Sequence, residues 1–205
     1  MSTIYGDYEV YLPQIMEGLT DEIKLANKRQ KEATGFKLHE HLLARVKKPD
    51  SMVEKCQRKG LPLTPHSALK EIRDSIGIRV VCGFVDDIYK TVAILKNLPG
   101  LRIVKEKDYI ARAKPNGYRS YHLILELTSD FPDVEGNRPG KYFAEVQLRT
   151  IAQDSWASLE HQMKYKHTIK NPELITRELK RCADELASCD LSMQTIRNLI
   201  EEGGD

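Results

Sequence analysis

The chain of 205 residues has no Cys-x-x-Cys pair. Its four cysteines, Cys56, Cys82, Cys182 and Cys189, are scattered, which argues against a zinc site or a disulfide framework and fits a reducing cytoplasm. His39 and His41 would share a strand face, but two histidines alone make a weak metal signal. No apolar run approaches the ~18 residues that a membrane span needs. The opening stretch, Met1 to Gln14, holds Asp7 and Glu9 and lacks an apolar run, so it reads as neither a signal nor a transit peptide. A large charge of one sign is missing as well. The formal net charge of +2 argues against a broad nonspecific nucleic-acid binder. No membrane or DNA partner is therefore expected, and RNA is not indicated, although local basic clusters leave it possible. There is no G-x-x-x-x-G-K-[ST] loop, which excludes a P-loop enzyme. Nor is there an internal repeat or a low-complexity linker.

What is present is an ordinary globular composition, 40% hydrophobic and 30% charged, in one domain over 1–205. Helical spacing of Val10, Ile15, Leu19, Ile23 and Leu25 predicts an N-terminal helix within 1–35. Strand patterns fall at Glu40–Lys47, Ile76–Cys82, Leu101–Lys105, Ser120–Leu127 and Lys141–Arg149. Helices are expected from Pro49 to Lys59, Asp86 to Leu98 and Thr150 to Lys166. Gly60 to Ser67 holds two prolines and reads as a loop. Asn171 and Pro172 make a cap and first residue for a last helix over 171–202. Strands mixed with helices in this order predict an α+β (mixed α/β) domain with one sheet of about five strands and helical extensions at both ends.

The strands carry the first clue to function. Side chains alternate, so Ala144, Val146 and Leu148 oppose Glu145, Gln147 and Arg149. Leu42, Ala44 and Val46 oppose His41, Arg45 and Lys47, with Leu43 an apolar exception. Ile78 and Val80 oppose Arg79, and Tyr121, Leu123 and Leu125 oppose Ser120 and His122. If the polar faces coincide, one side of the sheet gathers Arg45, Lys47, Arg79, His122, Glu145, Gln147 and Arg149. A solvated sheet face explains alternation equally well. It does not explain arginines and lysines gathered around a central carboxylate, which suit a polyphosphate with a divalent cation.

Four segments add chemistry in a fixed order. Arg45-Val-Lys-Lys-Pro-Asp-Ser51 puts two cations, Arg45 and Lys47, on a strand and a hydroxyl at a helix start, where free N–H groups favour phosphate. Arg73-Asp74-Ser-Ile-Gly77-Ile-Arg79 leads a carboxylate into a strand. Lys114-Pro-Asn116-Gly-Tyr118-Arg119-Ser-Tyr-His122 is a turn rich in functional side chains. Glu145-Val-Gln147-Leu-Arg149-Thr150 precedes a helix holding Trp156-Ala-Ser-Leu-Glu160-His161 and Tyr165-Lys166. In this order, over about His41 to Lys166, they resemble the synthetase domain of the RelA/SpoT family, and its single-domain small alarmone synthetases above all. No room exists for the hydrolase domain of the long family members.

The resemblance implies a nucleotidyltransferase-like mixed sheet and a GTP/GDP pyrophosphokinase, in which ATP passes its β,γ-pyrophosphate to the 3′-hydroxyl of GDP or GTP. It implies that Arg45 and Arg79 sandwich adenine, as guanidinium planes do, and that Lys47, Ser51 and Lys55 contact the ATP phosphates. Asp74 would hold Mg²⁺, and Glu145 would share the ion or take the proton of the attacking hydroxyl. Tyr118 would stack on guanine, with Asn116 and the backbone near Ala157 reading its edge. Lys114, His122, Gln147 and Arg149 would position the acceptor, and Lys105 and Lys107 its 5′-phosphates. Trp156 reads as core, and Glu160 and His161 as structural. His41 and Leu43 stand where the tetrameric, allosteric relatives would carry an aromatic and a threonine in their regulatory pocket, so activation by pppGpp is not carried over. Gln153 and Ser155 stand where more apolar residues are expected. The last helix repeats Ile175, Leu179, Cys182, Leu186, Cys189, Met193, Ile196 and Ile200 at heptad spacing. That stripe predicts a homo-oligomer, a homotetramer by the resemblance, against the alternative that it packs on the N-terminal helix.

Overall fold

The computed structural model describes residues 3–166 and 171–203, without the side chains of 164–166. The Tyr165-Lys166 side chains therefore lie outside the described residues. The chain opens with a 3₁₀ segment, Gly6–Tyr11, and helix α1, Leu12–Thr34. Leu12, Ile15, Leu19 and Ile23 recur three and four residues apart and are all buried. Val10 and Leu25, expected on the same stripe, are exposed, because the 3₁₀ turn breaks the helical phase before Leu12 and Leu25 falls outside the apolar arc. Gly35 ends α1 in a left-handed conformation and donates its N–H to the Lys31 carbonyl.

Strand β1 (His41–Val46) and helix α2 (Pro49–Arg58) come next. His39 lies outside β1 and is buried, whereas His41 is exposed, so the two histidines share no strand face. After α2 the chain forms a single π turn, Ser67–Glu71, at the end of the stretch read as a loop. It buries Ser67, Ala68 and Leu69 against the core. Strand β2 (Ile76–Cys82), helix α3 (Val85–Asn97) and strand β3 (Leu101–Asp108) follow. β3 runs three residues past the expected end at Lys105, since pairing with β4 continues to Asp108–Tyr121. Strands β4 (Tyr121–Ser129) and β5 (Gly140–Thr150) lead to helices α4 (Ile151–Lys166) and α5 (Pro172–Glu202). The Asn171 side chain caps α5 by accepting the Leu174 N–H, as read from sequence.

The five strands form one mixed sheet in the order β1-β2-β5-β4-β3, with β2 and β5 parallel and the other neighbours antiparallel. Ile78 and Val80 of β2, Val146 and Leu148 of β5 and Leu123 and Leu125 of β4 join the buried stripes of α1 and α3 in one core. Each such side chain, removed from water, contributes about 1.5–3 kcal/mol. That face fixes the register, and the register aligns the opposite, polar face. A second, small cluster joins Trp156 and Ala157 of α4 to Leu179 and Ala183 of α5, with Tyr118 against it.

Candidate active site

Two rows of side chains cross the polar face. In one, Arg45 pairs with Gly77, Gly77 with Glu145, Glu145 with Ile124 and Ile124 with Lys105. In the other, Leu43, Arg79, Gln147, His122 and Lys107 stand in sequence across all five strands. The polar faces of the strands thus coincide. Gly77 has no side chain, which leaves space between Arg45 and Glu145.

Two clefts open on this face. The first, about 340 Å³, is lined by Leu43, Arg45, Lys47, Asp74, Arg79, Glu145 and Gln147. Leu43, the apolar exception of β1, is 55% exposed and forms part of that wall. The second, about 430 Å³, is lined by Lys55, Lys59, Arg73, Asp74, Lys105, Lys107, Tyr109, Lys114, His122 and Glu145. The clefts have two lining residues in common, Asp74 and Glu145.

Asp74 follows the π turn and enters β2. Its Oδ2 accepts from Lys47 Nζ at 2.5 Å and also from Lys55. Its Oδ1 is buried and has no hydrogen-bond partner. Burial pushes the carboxyl up, but the hydrogen bonds and charges of Lys47 and Lys55 outweigh it and hold Asp74 below its ordinary value. Burial also draws the Lys47 ammonium down, only partly opposed by Asp74. Glu145 is likewise pushed up by burial and held below its ordinary value by His122 and Gln147. Its Oε2 accepts from Gln147 Nε2 at 3.0 Å, and its Oε1 lies 3.4 Å from His122 Nδ1. Both acids are thus anionic at neutral pH, and the charge of Asp74 acts on Glu145. An unpartnered buried carboxylate oxygen beside a second carboxylate fits a divalent cation, which needs one or two such ligands plus phosphate oxygens. Among the described residues no group of three or more His, Cys, Asp or Glu gathers as a metal site, here or elsewhere, so the pair would rely on phosphate oxygens to complete a cation's shell.

Beside the second cleft, Gly117 adopts φ 90°, and a Cβ there would come within 2.6 Å of the Ala183 side chain. That turn brings Tyr118 beside α4 and α5. Arg149 Nη2 donates to the Tyr118 hydroxyl at 2.7 Å, and the hydroxyl lies 2.8 Å from His122 Nε2. The Glu145 carboxylate only accepts, so the Nδ1 that faces it carries the imidazole proton and Nε2 is left to accept from the Tyr118 hydroxyl. Lys114 Nζ sits 4.7 Å from the Tyr118 ring centroid.

The structure brings together most of the residues picked from sequence. Arg45, Lys47, Arg79, Asp74, Glu145 and Gln147 line the first cleft, and Lys55, Lys105, Lys107, Lys114 and His122 the second. Asn116 and Tyr118 line neither cleft; Tyr118 packs against Tyr109, Lys114 and His122 of the second, and Asn116 Nδ2 donates to Glu160 at 3.3 Å. Three other residues sit differently. Ser51 is exposed on the first turn of α2 and lines neither cleft. Ala157 is packed in the α4–α5 cluster. Arg149 is buried behind Tyr118 rather than lining a cleft. Trp156 is core, its indole N–H donating to the Leu179 carbonyl at 2.9 Å. Sequence reading passed over Tyr109, which edges both Tyr118 and His122, and Asp154, which lies against two arginines. The only signals were a tyrosine just past a lysine-rich strand and an acid in the first turn of α4.

Comparison with known proteins gives the family. A family model described as a region found in RelA / SpoT proteins covers residues 44–170. GTP pyrophosphokinase YwaC of Bacillus subtilis (strain 168) is 44% identical over 162 residues, 79% of this chain and 75% of that protein. The crystal structure of small alarmone synthetase 2 from Bacillus subtilis superposes with a TM-score of 0.79 at 38% identity, covering 92% of this chain and 95% of that one. Small alarmone synthetase 1 of the same organism, bound to its product pppGpp, gives a TM-score of 0.79 at 32% identity over 95% of this chain and 96% of that one. With the model covering more than half of the chain, and this fold beneath it, the protein belongs to the RelA/SpoT family.

Proposed function

We infer that the protein is a GTP pyrophosphokinase that moves the β,γ-pyrophosphate of ATP to the 3′-hydroxyl of GDP or GTP, releasing AMP and giving ppGpp or pppGpp. One observation carries this reading: an arginine-lined cleft and a lysine-lined cleft meet at two ionised carboxylates, Asp74 and Glu145. Such a boundary suits transfer between a donor on one side and an acceptor on the other.

In this reading Arg45 and Arg79 stack on adenine and Leu43 supplies an apolar edge. Lys47 and Lys55 meet the donor phosphates, and Ser51, one turn before Lys55, lies at the end of that track. Lys105 and Lys107 of the second cleft bind the acceptor's 5′-phosphates, and Lys114 positions the acceptor. Tyr118 stacks on guanine once Lys114 leaves its ring face for phosphate, with Asn116 at the base edge. The α4 backbone at Ala157 supports the base through Tyr118 rather than reading it. Asp74 Oδ1 and Glu145 would hold Mg²⁺, which would neutralise charge on the transferred phosphates. Glu145, with His122 Nδ1–H fixing one oxygen, is placed to accept the 3′-hydroxyl proton. No side chain forms a covalent intermediate. Catalysis is alignment of the hydroxyl with the β-phosphorus and charge stabilisation.

Homo-oligomerisation, as a homotetramer, belongs to the same reading. Cys182, Cys189, Met193, Ile196 and Ile200 of the α5 stripe are exposed, which supports a subunit contact and disfavours packing on α1. Four free thiols, and no helix long and apolar enough to span a membrane among the described residues, fit a cytoplasmic enzyme. The test is product analysis with Mg²⁺, labelled ATP and GDP, GTP, GMP, ATP or tRNA in turn. AMP with a 3′-pyrophosphorylated guanine nucleotide is expected, without added pppGpp. Glu145→Gln should lose about 10³-fold or more. AMP formed with ATP or tRNA alone would reassign the acceptor, and no AMP with any acceptor would overturn the reading.

A further inference from the structure

Asp154 stands on the first turn of α4, where its place is unusually well fixed. The Thr150 hydroxyl accepts the Gln153 N–H at 3.1 Å, and Gln153 Oε1 accepts the Thr150 N–H at 3.2 Å, a reciprocal capping box. Buried Asp190 of α5 clamps that cap, accepting from Thr150 Oγ1 at 2.7 Å and from Gln153 Nε2 at 3.4 Å. This also explains the polar Gln153. Held there, one Asp154 oxygen, Oδ1, lies 3.2 Å from Arg79 Nη1 and 3.0 Å from Arg149 Nη1. Arg79 lines the donor cleft. Arg149 aims the Tyr118 hydroxyl and, through His122, reaches Glu145.

We propose that Asp154 is a positioning residue that couples the two nucleotide subsites, its single oxygen setting the donor-side Arg79 and the acceptor-side Arg149 together. The proposal rests on the pyrophosphokinase reading, which places donor and acceptor in these clefts. The physical basis is that one carboxylate oxygen shared by two guanidiniums cannot serve either alone. When adenine draws Arg79 onto its face, Asp154 turns wholly to Arg149, and the Arg149–Tyr118 arm tightens before the acceptor arrives. Arg149 is buried, so it has no water to replace Asp154.

The test uses Asp154→Asn, which keeps the volume, Asp154→Glu, and Arg79→Ala as the control for donor binding. Asp154→Asn should raise the KM for both ATP and the guanine acceptor by about tenfold, Asp154→Glu should recover part of it, and Arg79→Ala should raise the ATP KM while the acceptor KM falls, since Asp154 then serves Arg149 alone. The protein's one tryptophan, Trp156, lies 6.3 Å from the Tyr118 ring and reports on the acceptor side. Binding of α,β-methylene ATP, which cannot react at the scissile bond, should shift its emission in the wild type. In Asp154→Asn, calorimetry should still register the analogue while the emission shift disappears. A variant that lowers Tm but leaves both KM values and the emission shift intact overturns the coupling, whatever Arg79→Ala does. Failure of Arg79→Ala to change ATP binding overturns instead the placement of the donor, and calorimetry and emission decide the link even without turnover.

Discussion

Two arginines of this protein are equally buried, Arg149 and Arg197, each 5% exposed and each facing an aspartate. Their surroundings differ in one respect that separates structure from function. Arg197 of α5 donates to Asp87 at 2.7 Å and to Glu201 at 2.8 Å, and its guanidinium lies 4.8 Å and 4.7 Å from the Phe36 and Phe84 ring centroids. None of these partners lines either cleft, so it pins the end of α5 to α3. Arg149 donates to Asp154, Tyr118, Gln147 and Ser120, and three of those reach the site. A closed ion pair fixes one arrangement, whereas an open one passes the position of one group on to the next. Removing one partner of a buried pair is costly in both places, but only the open pair should register in substrate kinetics.

The sharpest break of this comparison is Arg197→Ala. It strands Asp87, which is 2% exposed and whose carboxyl burial already holds above its ordinary value. A loss of about 3–5 kcal/mol is expected, roughly 6–20 °C in Tm for a domain of this size, with both KM values unchanged. Calorimetry with steady-state kinetics checks it, and a shift in either KM would merge the two pairs into one class. Arg149→Lys should do the reverse. Lysine keeps the charge but not the fork that serves Asp154 and Tyr118 at once, so kcat/KM should fall about 10–100-fold, or about 1.4–2.8 kcal/mol, with a smaller loss of stability. Equal losses in Tm and activity would show Arg149 to be as closed as Arg197.

One buried carboxylate is held by backbone amides and has no arginine partner among the described residues. Asp133, 1% exposed, accepts N–H groups of Glu135, Asn137 and Lys141 in the β4–β5 connection. Burial raises its carboxyl, but those amides and the Asn137 side chain hold it below the ordinary value. A depressed aspartate stabilises the fold above its unfolded value, about pH 3.9, and that contribution fades as pH falls through the lower folded value. Asp133→Asn should therefore cost about 1–2 kcal/mol at pH 7, with the gap from wild type closing below about pH 4. Thermal melts across pH test it, and a gap independent of pH would mean that the amides, not the charge, do the holding.

Much of the site was legible in sequence because strand alternation is a local rule. Once Glu145 and Gln147 are on one side of β5, and Arg79 on one side of β2, burial of the other face leaves their register little choice. Arg149 follows the same alternation, yet the identity of its partners did not follow from it. Asp154 lies five residues further on, in another element, and only the capped start of α4 turns it back over the strand. The last helix shows the converse. Its apolar heptad was read as a subunit contact, and Met193, Ile196 and Ile200 are exposed, but no pattern in the sequence marked the inner face, where Asp190, Gln194 and Arg197 are buried. A buried polar residue looks like a surface residue until its partner is known, and the partners, Thr150, the Asp86 N–H and Asp87, are about 40 to 110 residues away in sequence.

The sequence by itself determined the five strands, the helices between them, the polar face and the order of its motifs, because each depends on periods of two or 3.6 residues and on turn chemistry within a few positions. Only the tertiary structure decided that two clefts meet at Asp74 and Glu145, that Asp74 keeps one oxygen unpartnered, and that Asp154 bridges two arginines. Those are relations between side chains distant in the chain, fixed by sheet order and helix docking, and no local pattern encodes them.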